Sequence, residues 1–171
     1  LLIYLVLFQH SQYFFLARRI LIPATRAGVV ELDWMKEELA KRRPGFVAVM
    51  AANNETGVLQ AWREALALCR EHNVPFFCDA TQWIGKLSTK GLGDCDFVSG
   101  SAHKFGGPKG VGFLKCPAKG RIEPLFHGGM QEEGRRAGTE NVAGVLSMLA
   151  ALEVREATLQ TARMEDGRWV M

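Results

Sequence analysis

The sequence predicts an α/β protein organised on a parallel sheet, and three observations carry that expectation. Apolar runs at residues 46–52, 75–78 and 97–99 have the length and β-branched or aromatic content of strands buried on both faces. Amphipathic, helix-like stretches fall before or between them. Each run also ends in polar residues, as the carboxyl ends of strands do where an open α/β sheet binds a ligand.

With 171 residues and 48% apolar content, the chain is sized for one domain with a real core. A formal charge of +3 spread along the chain argues against a nucleic-acid surface and suits a small anionic ligand. Cys69, Cys78, Cys95 and Cys116 form no C-x-x-C pair and no zinc-like spacing with the four histidines. They read as reduced thiols of a cytoplasmic protein with no metal site. The opening Leu1-Leu2-Ile3-Tyr4-Leu5-Val6-Leu7-Phe8 resembles a signal-peptide core. It has no basic region before it and no small-residue cleavage site, and it is too short to cross a bilayer, so no membrane role is expected. A first residue of Leu rather than Met marks the interior of a longer reading frame.

In chain order, residues 1–19 have no clean period, and Ile20-Leu21-Ile22-Pro23 reads as a strand end. Asp33 is the expected N-cap of a helix over 34–42, with Lys41, Arg42 and Arg43 at the end that favours cations and Pro44-Gly45 as its stop. The run at 46–52 ends in Asn53-Asn54-Glu55-Thr56-Gly57. A helix over 60–72 follows, with Trp62, Ala65, Leu66, Leu68 and Cys69 mostly on one side. The next strand ends in Asp79-Ala80-Thr81-Gln82. After a glycine-rich connector, Asp96 leads into a strand that carries Ser101, His103 and Lys104 and breaks at Phe105-Gly106-Gly107-Pro108. A second apolar run, 111–114, comes at once. A long polar, glycine-rich loop over 126–141 precedes a helix from 142 to about 163, capped by Thr139 or Asn141. Its stripe of Val145, Met148, Leu149 and Leu152 favours burial.

Asn54, then Asp79 and Gln82, then Ser101, His103 and Lys104 therefore converge on one edge of one sheet. A lysine at a strand end, above a turn whose glycines allow close backbone approach, can form a Schiff base with an aldehyde cofactor. Asp79 can keep a pyridine nitrogen protonated. Gln82 and Asn54 are neutral partners for a ring oxygen and a bound amino acid. Ser101 and His103 can hold phosphate oxygens, with Thr139 doing so from another loop or subunit. His103 has the alternative of acid–base work, since imidazole titrates near neutrality.

These residues lie in motifs that resemble the cysteine desulfurases of the class-V aminotransferase superfamily, the group that includes selenocysteine lyase. The motifs are Asn53-Asn54-Glu55-Thr56-Gly57, Asp79-Ala80-Thr81-Gln82, Ser101-x-His103-Lys104-x-x-Gly107-Pro108-Lys109-Gly110-x-Gly112, His127-Gly128-Gly129-x-Gln131-Glu132 and Arg136-x-Gly138-Thr139-Glu140-Asn141, in that order. The likeness covers roughly residues 20–155. It implies the type I fold of enzymes using pyridoxal 5′-phosphate, whose large domain is a mainly parallel sheet sandwiched by helices, with residues 20–171 as part of that domain. It implies a homodimer that takes sulfur from L-cysteine, leaving L-alanine and an enzyme persulfide for a sulfur-acceptor or scaffold protein in iron–sulfur cluster or thio-cofactor synthesis. Lys104 and His103 would be catalytic. Asn54, Asp79, Gln82, Ser101, His103, Lys104 and Thr139 would bind the cofactor.

The chain departs from that pattern in length. Members of this group run to more than twice 171 residues, with an upstream phosphate-binding turn, a ring-stacking histidine, and a downstream loop that carries the nucleophilic cysteine. His10 does not match the histidine motif, and none of the four cysteines stands where the group keeps its sulfur-accepting thiol. The chain by itself is therefore expected to be inactive. Selenocysteine lyase or another class-V activity, and an inactive truncated remnant, are the alternatives.

Overall fold

The computed structural model describes residues 4–7, 18–118, 123–161, 163–165 and 168–170, with side chains described over 19–118 and 123–159. His10 and residues 1–3 and 8 of the apolar opening lie outside the described residues. A six-stranded sheet runs in the order β2-β1-β3-β4-β5-β6: β1 Tyr4–Leu7, β2 Arg18–Leu21, β3 Phe46–Met50, β4 Phe76–Asp79, β5 Phe97–Ser101 and β6 Gly112–Lys115. The centre, β3-β4-β5, is parallel, while β1, β2 and β6 join antiparallel at the edges. Each expected strand is present. The antiparallel β6 edge follows from connection length, because β5 and β6 are joined by a connection too short for a parallel crossover.

Among the described residues, three helices accompany the sheet: α1 Leu32–Lys41, α2 Trp62–Glu71 and α3 Val142–Thr161. Asp33 is not the N-cap of α1. The helix starts two residues earlier, at Leu32, Glu31 takes the cap position without a side-chain bond, and Asp33 lies in the first turn, where its charge suits the helix dipole. At the other end of the chain, Asn141 Oδ1 accepts from Gly144 N (3.0 Å) and caps α3, as one of the two expected caps. The last helix stops at Thr161, and a short antiparallel pair, β7 Arg163–Glu165 with β8 Arg168–Val170, takes the place of its expected final turn.

Two faces of the central strands differ, and this positions the site. On one, Val47, Val49, Phe76 and Cys78 are fully buried and share a core with Trp62, Ala65, Leu66 and Cys69 of α2 and with Met35 and Leu39 of α1. On the other, Met50 lies opposite Asp79, and Asp79 opposite Ser99. Side chains alternate along a strand, so Ser101 shares that second face, which is only half-buried. The expectation of burial on both faces holds for the first face alone. Of the α3 stripe, Met148 is buried and Leu152 packs on the core, but Val145 and Leu149 are exposed. No described helix is long and apolar enough to cross a membrane.

Candidate active site

The carboxyl ends of β3, β4 and β5 lie side by side, and the polar residues expected of a site sit on them or on the turns that follow. Asp79 is the last residue of β4. Its Oδ1 accepts from Ser99 Oγ on the neighbouring strand (3.1 Å) and from Thr81 N (3.0 Å). Both bonds fall on one carboxylate oxygen, Oδ1. The carboxylate is aimed by a strand ladder and its own turn rather than by a free loop.

Gln82 follows in a helical turn that is sewn by Ile84 N to Ala80 O (3.0 Å) and Leu87 N to Trp83 O (3.0 Å). Lys86 Nζ donates to Gln82 Oε1 (3.0 Å) and to the Gln82 carbonyl oxygen (3.2 Å). Gly85 closes the turn with φ +75°, and an added Cβ there would fall 2.3 Å from Phe105 Cβ. The Gln82 turn is thus seated directly on the residue that follows Lys104.

Past β5, residues 102–104 form a single 3-10 turn. Phe105 N and Gly107 N both donate to Ala102 O, at 3.1 and 2.9 Å, and Phe105 is buried. A Cβ on Gly107 would meet Ala102 Cβ at 2.9 Å and Ala102 O at 3.1 Å, which requires glycine beside the lysine. Lys104 is half-buried at the centre of this closed turn. Ser101 Oγ and His103 Nδ1 are 2.9 Å apart, forming one hydrogen-bonded unit on the same turn.

The neighbourhood is cationic. Burial, and then the charges of Lys104 and Arg155, hold the Lys86 ammonium below the usual lysine range. Two positive groups within electrostatic reach of Lys86 favour an anionic ligand there. Among the described residues, no group of three or more His, Cys, Asp or Glu side chains is placed to hold a metal ion.

Two expected site residues stand apart. Asn54 is exposed, and its amide donates to its neighbour Glu55 rather than to the cluster. Within that turn the buried Asn53 does the structural work. Its Oδ1 accepts from Glu55 N (2.9 Å), Thr56 N (2.8 Å) and Thr56 Oγ1 (3.1 Å). Thr139 is exposed in the loop before α3 and has no hydrogen bond to the strand-end residues among those described. Sequence reasoning passed over Ser99, Gly85 and Lys86. A signal for Ser99 was available, since a serine two residues before Ser101 shares its face.

The family profile for aminotransferase class-V matches residues 16–168. The chain belongs to the class-V aminotransferase family. A curated cysteine desulfurase of Klebsiella pneumoniae is 50% identical over 134 residues, covering 78% of this chain and 34% of its own length. Cysteine desulfurase IscS of Dictyoglomus turgidum is 42% identical over 135 residues, with the same two coverages. Among solved structures, the NifS-like protein of Rickettsia africae superposes with a TM-score of 0.75 at 32% identity, covering 82% of this chain and 40% of that one. A second NifS-like protein gives the same TM-score at 37% identity, with 84% and 40% covered. The expected type I class-V fold is borne out by these neighbours. The chain spans about a third of the length of the curated relatives it matches.

Proposed function

We propose that this chain carries the cofactor-binding strand ends of a pyridoxal 5′-phosphate-dependent cysteine desulfurase. The observation that carries the reading is the pairing of Asp79 with Ser99 one strand away from the Lys104 turn, in a class-V chain whose curated relatives are named cysteine desulfurases. A further structural relative, 32% identical with a TM-score of 0.69, is described as SspA in complex with cysteine, which supports L-cysteine as the substrate.

The residues present fit the cofactor's chemistry. A carboxylate already held by two donors on Oδ1 keeps Oδ2 in place to accept from a protonated ring nitrogen. The bound cofactor supplies an electron sink for the pair of electrons left at an amino acid's α-carbon. Holding the Asp79 carboxylate in an environment that needs no reorganisation keeps the ring nitrogen's proton in place. Lys104 supplies the amine for the aldehyde. Its turn is pinned by the Ala102 carbonyl and the buried Phe105, so the backbone that carries the amine does not have to be ordered on binding. Ser101 and His103 offer donors for phosphate oxygens, Gln82 a donor for the ring oxygen, and Asn54 a partner for the amino acid. Thr139 reaches a cofactor held by a second copy in a homodimer. Delivery of the sulfur to an acceptor or scaffold protein in the cytoplasm completes the reading.

Borohydride reduction in the presence of pyridoxal phosphate, followed by peptide mass mapping, tests it. The label is expected on Lys104. Label on Lys86 or Lys109 instead overturns the assignment.

A further inference from the structure

We infer that Lys86 is a positioning residue that fixes which end of the Gln82 carboxamide faces the ligand. An asparagine or glutamine amide can be turned either way at little cost unless a neighbour distinguishes its oxygen from its nitrogen. An ammonium has three donors and no acceptor. It can therefore meet the amide oxygen and not the amide nitrogen. Lys86 Nζ lies 3.0 Å from Gln82 Oε1 and 3.2 Å from the Gln82 main-chain oxygen, so it clasps the residue at both ends of its side chain. With Oε1 held there, Nε2 and its two hydrogens are turned away from Lys86 as the donor that Gln82 can offer.

The device is local and built into the turn. Lys86 stands four residues after Gln82 in a helical turn, and Gly85 between them is pressed on Phe105 of the Lys104 turn. Orientation of the amide is thereby tied to the placement of Lys104. Within electrostatic reach of Lys86, Lys104 and Arg155 add only positive charge. The ammonium's interactions with them are repulsive, and its hydrogen-bond acceptors among the described residues are the two Gln82 oxygens.

This inference rests on the cofactor reading above, with Gln82 Nε2 donating to the ring oxygen, and its test separates the two. The complete protein is titrated with pyridoxal phosphate, following both the dissociation constant and the absorbance band of the lysine-bound cofactor. Lys86→Met, which keeps the stem and removes the donors, is expected to weaken binding about three- to tenfold and to move the band, because the ring oxygen loses an oriented donor. Lys86→Arg restores both, since a guanidinium also has donors only. In a Gln82→Ala background, Lys86→Met is expected to do nothing further, because the two residues act as one unit. An unshifted band with unchanged binding in Lys86→Met, or an equal loss with and without Gln82, overturns the positioning role while leaving the cofactor site standing. A parent protein that forms no band at all overturns both.

Discussion

Ser99 Oγ donates to Asp79 Oδ1 across the parallel β4–β5 ladder at 3.1 Å. The two residues are register partners, so the bond is set by strand pairing and persists as long as the sheet does. In the complete protein, Asp79→Asn keeps an acceptor for Ser99 and so should keep the fold and the borohydride-trapped lysine adduct. It should lower sulfide release from L-cysteine by about a hundredfold or more, the scale of losing a preorganised charge. Steady-state kinetics read this directly. A near-normal rate would mean that another acid serves the ring.

Gly85 and Gly57 have almost the same φ, +75° and +73°, but differ in surroundings. A Cβ on Gly57 meets nothing within 4 Å, whereas one on Gly85 lies 2.3 Å from Phe105 Cβ. Gly57→Ala should cost about 1–2 kcal/mol, the strain of a left-handed alanine. Gly85→Ala should cost about 2–5 kcal/mol, adding an overpacking penalty against an atom too close to the main chain to swing aside. Urea unfolding of the two variants compares them. Equal losses would show that the Gln82 and Lys104 turns are not seated on each other as described.

The thiols should react in a fixed order. Cys69, Cys78 and Cys95 are buried, while Cys116 is half-buried with Arg135 Nη1 at 3.4 Å from its sulfur. Burial, and then the Asp96 charge, push the Cys69 thiol up to about 12, so it stays protonated and inert at neutral pH. The Cys78 thiol is held protonated by its hydrogen bond to Cys95, and that same bond draws Cys95 downward. Brief alkylation of the native protein followed by mass mapping should find Cys116 modified first. Equally fast labelling of Cys69 or Cys78 would contradict the buried packing and reopen them as candidate sulfur acceptors.

Residues 1–171 produced alone should associate and release no sulfide from L-cysteine. Leu125, Phe126 and Met130 are 82%, 65% and 80% exposed, and Val142, Leu146, Leu149 and Val154 add to the apolar surface along α3. An apolar surface of this extent favours contact with another protein surface. Sedimentation with and without pyridoxal phosphate, beside a sulfide assay, checks both halves. A monodisperse monomer that turns over cysteine would overturn the proposal that the sulfur-accepting thiol lies elsewhere.

Much of this arrangement was legible in one dimension. Apolar runs of strand length report burial through their composition, and polar residues at their ends report the sheet edge where ligands bind. Lys104 stands out because glycines at 106 and 107 follow it, and Gly107 is required by the Ala102 contacts that close the turn. The α2 face was legible for the same reason, since Trp62, Ala65, Leu66 and Cys69 repeat at helical spacing and are the residues buried. Helix starts were harder to read. Asp33 and Glu31 are both acidic, and only backbone geometry decides which one caps and which lies in the first turn.

Tertiary structure decided what depends on neighbours distant in sequence. The edge strands turn antiparallel because of how connections close in space. The α3 stripe is apolar in sequence, yet its exposure depends on what packs over it, and of the stripe only Met148 is buried. Ser99 gained its place on Asp79, 20 residues away, through parallel register. The direction of the Gln82 amide was likewise invisible until Lys86 Nζ was seen against Oε1. Periodicity reports which side chains share a face, whereas hydrogen-bond direction depends on which donor meets which acceptor, and that is settled only when the chain has folded.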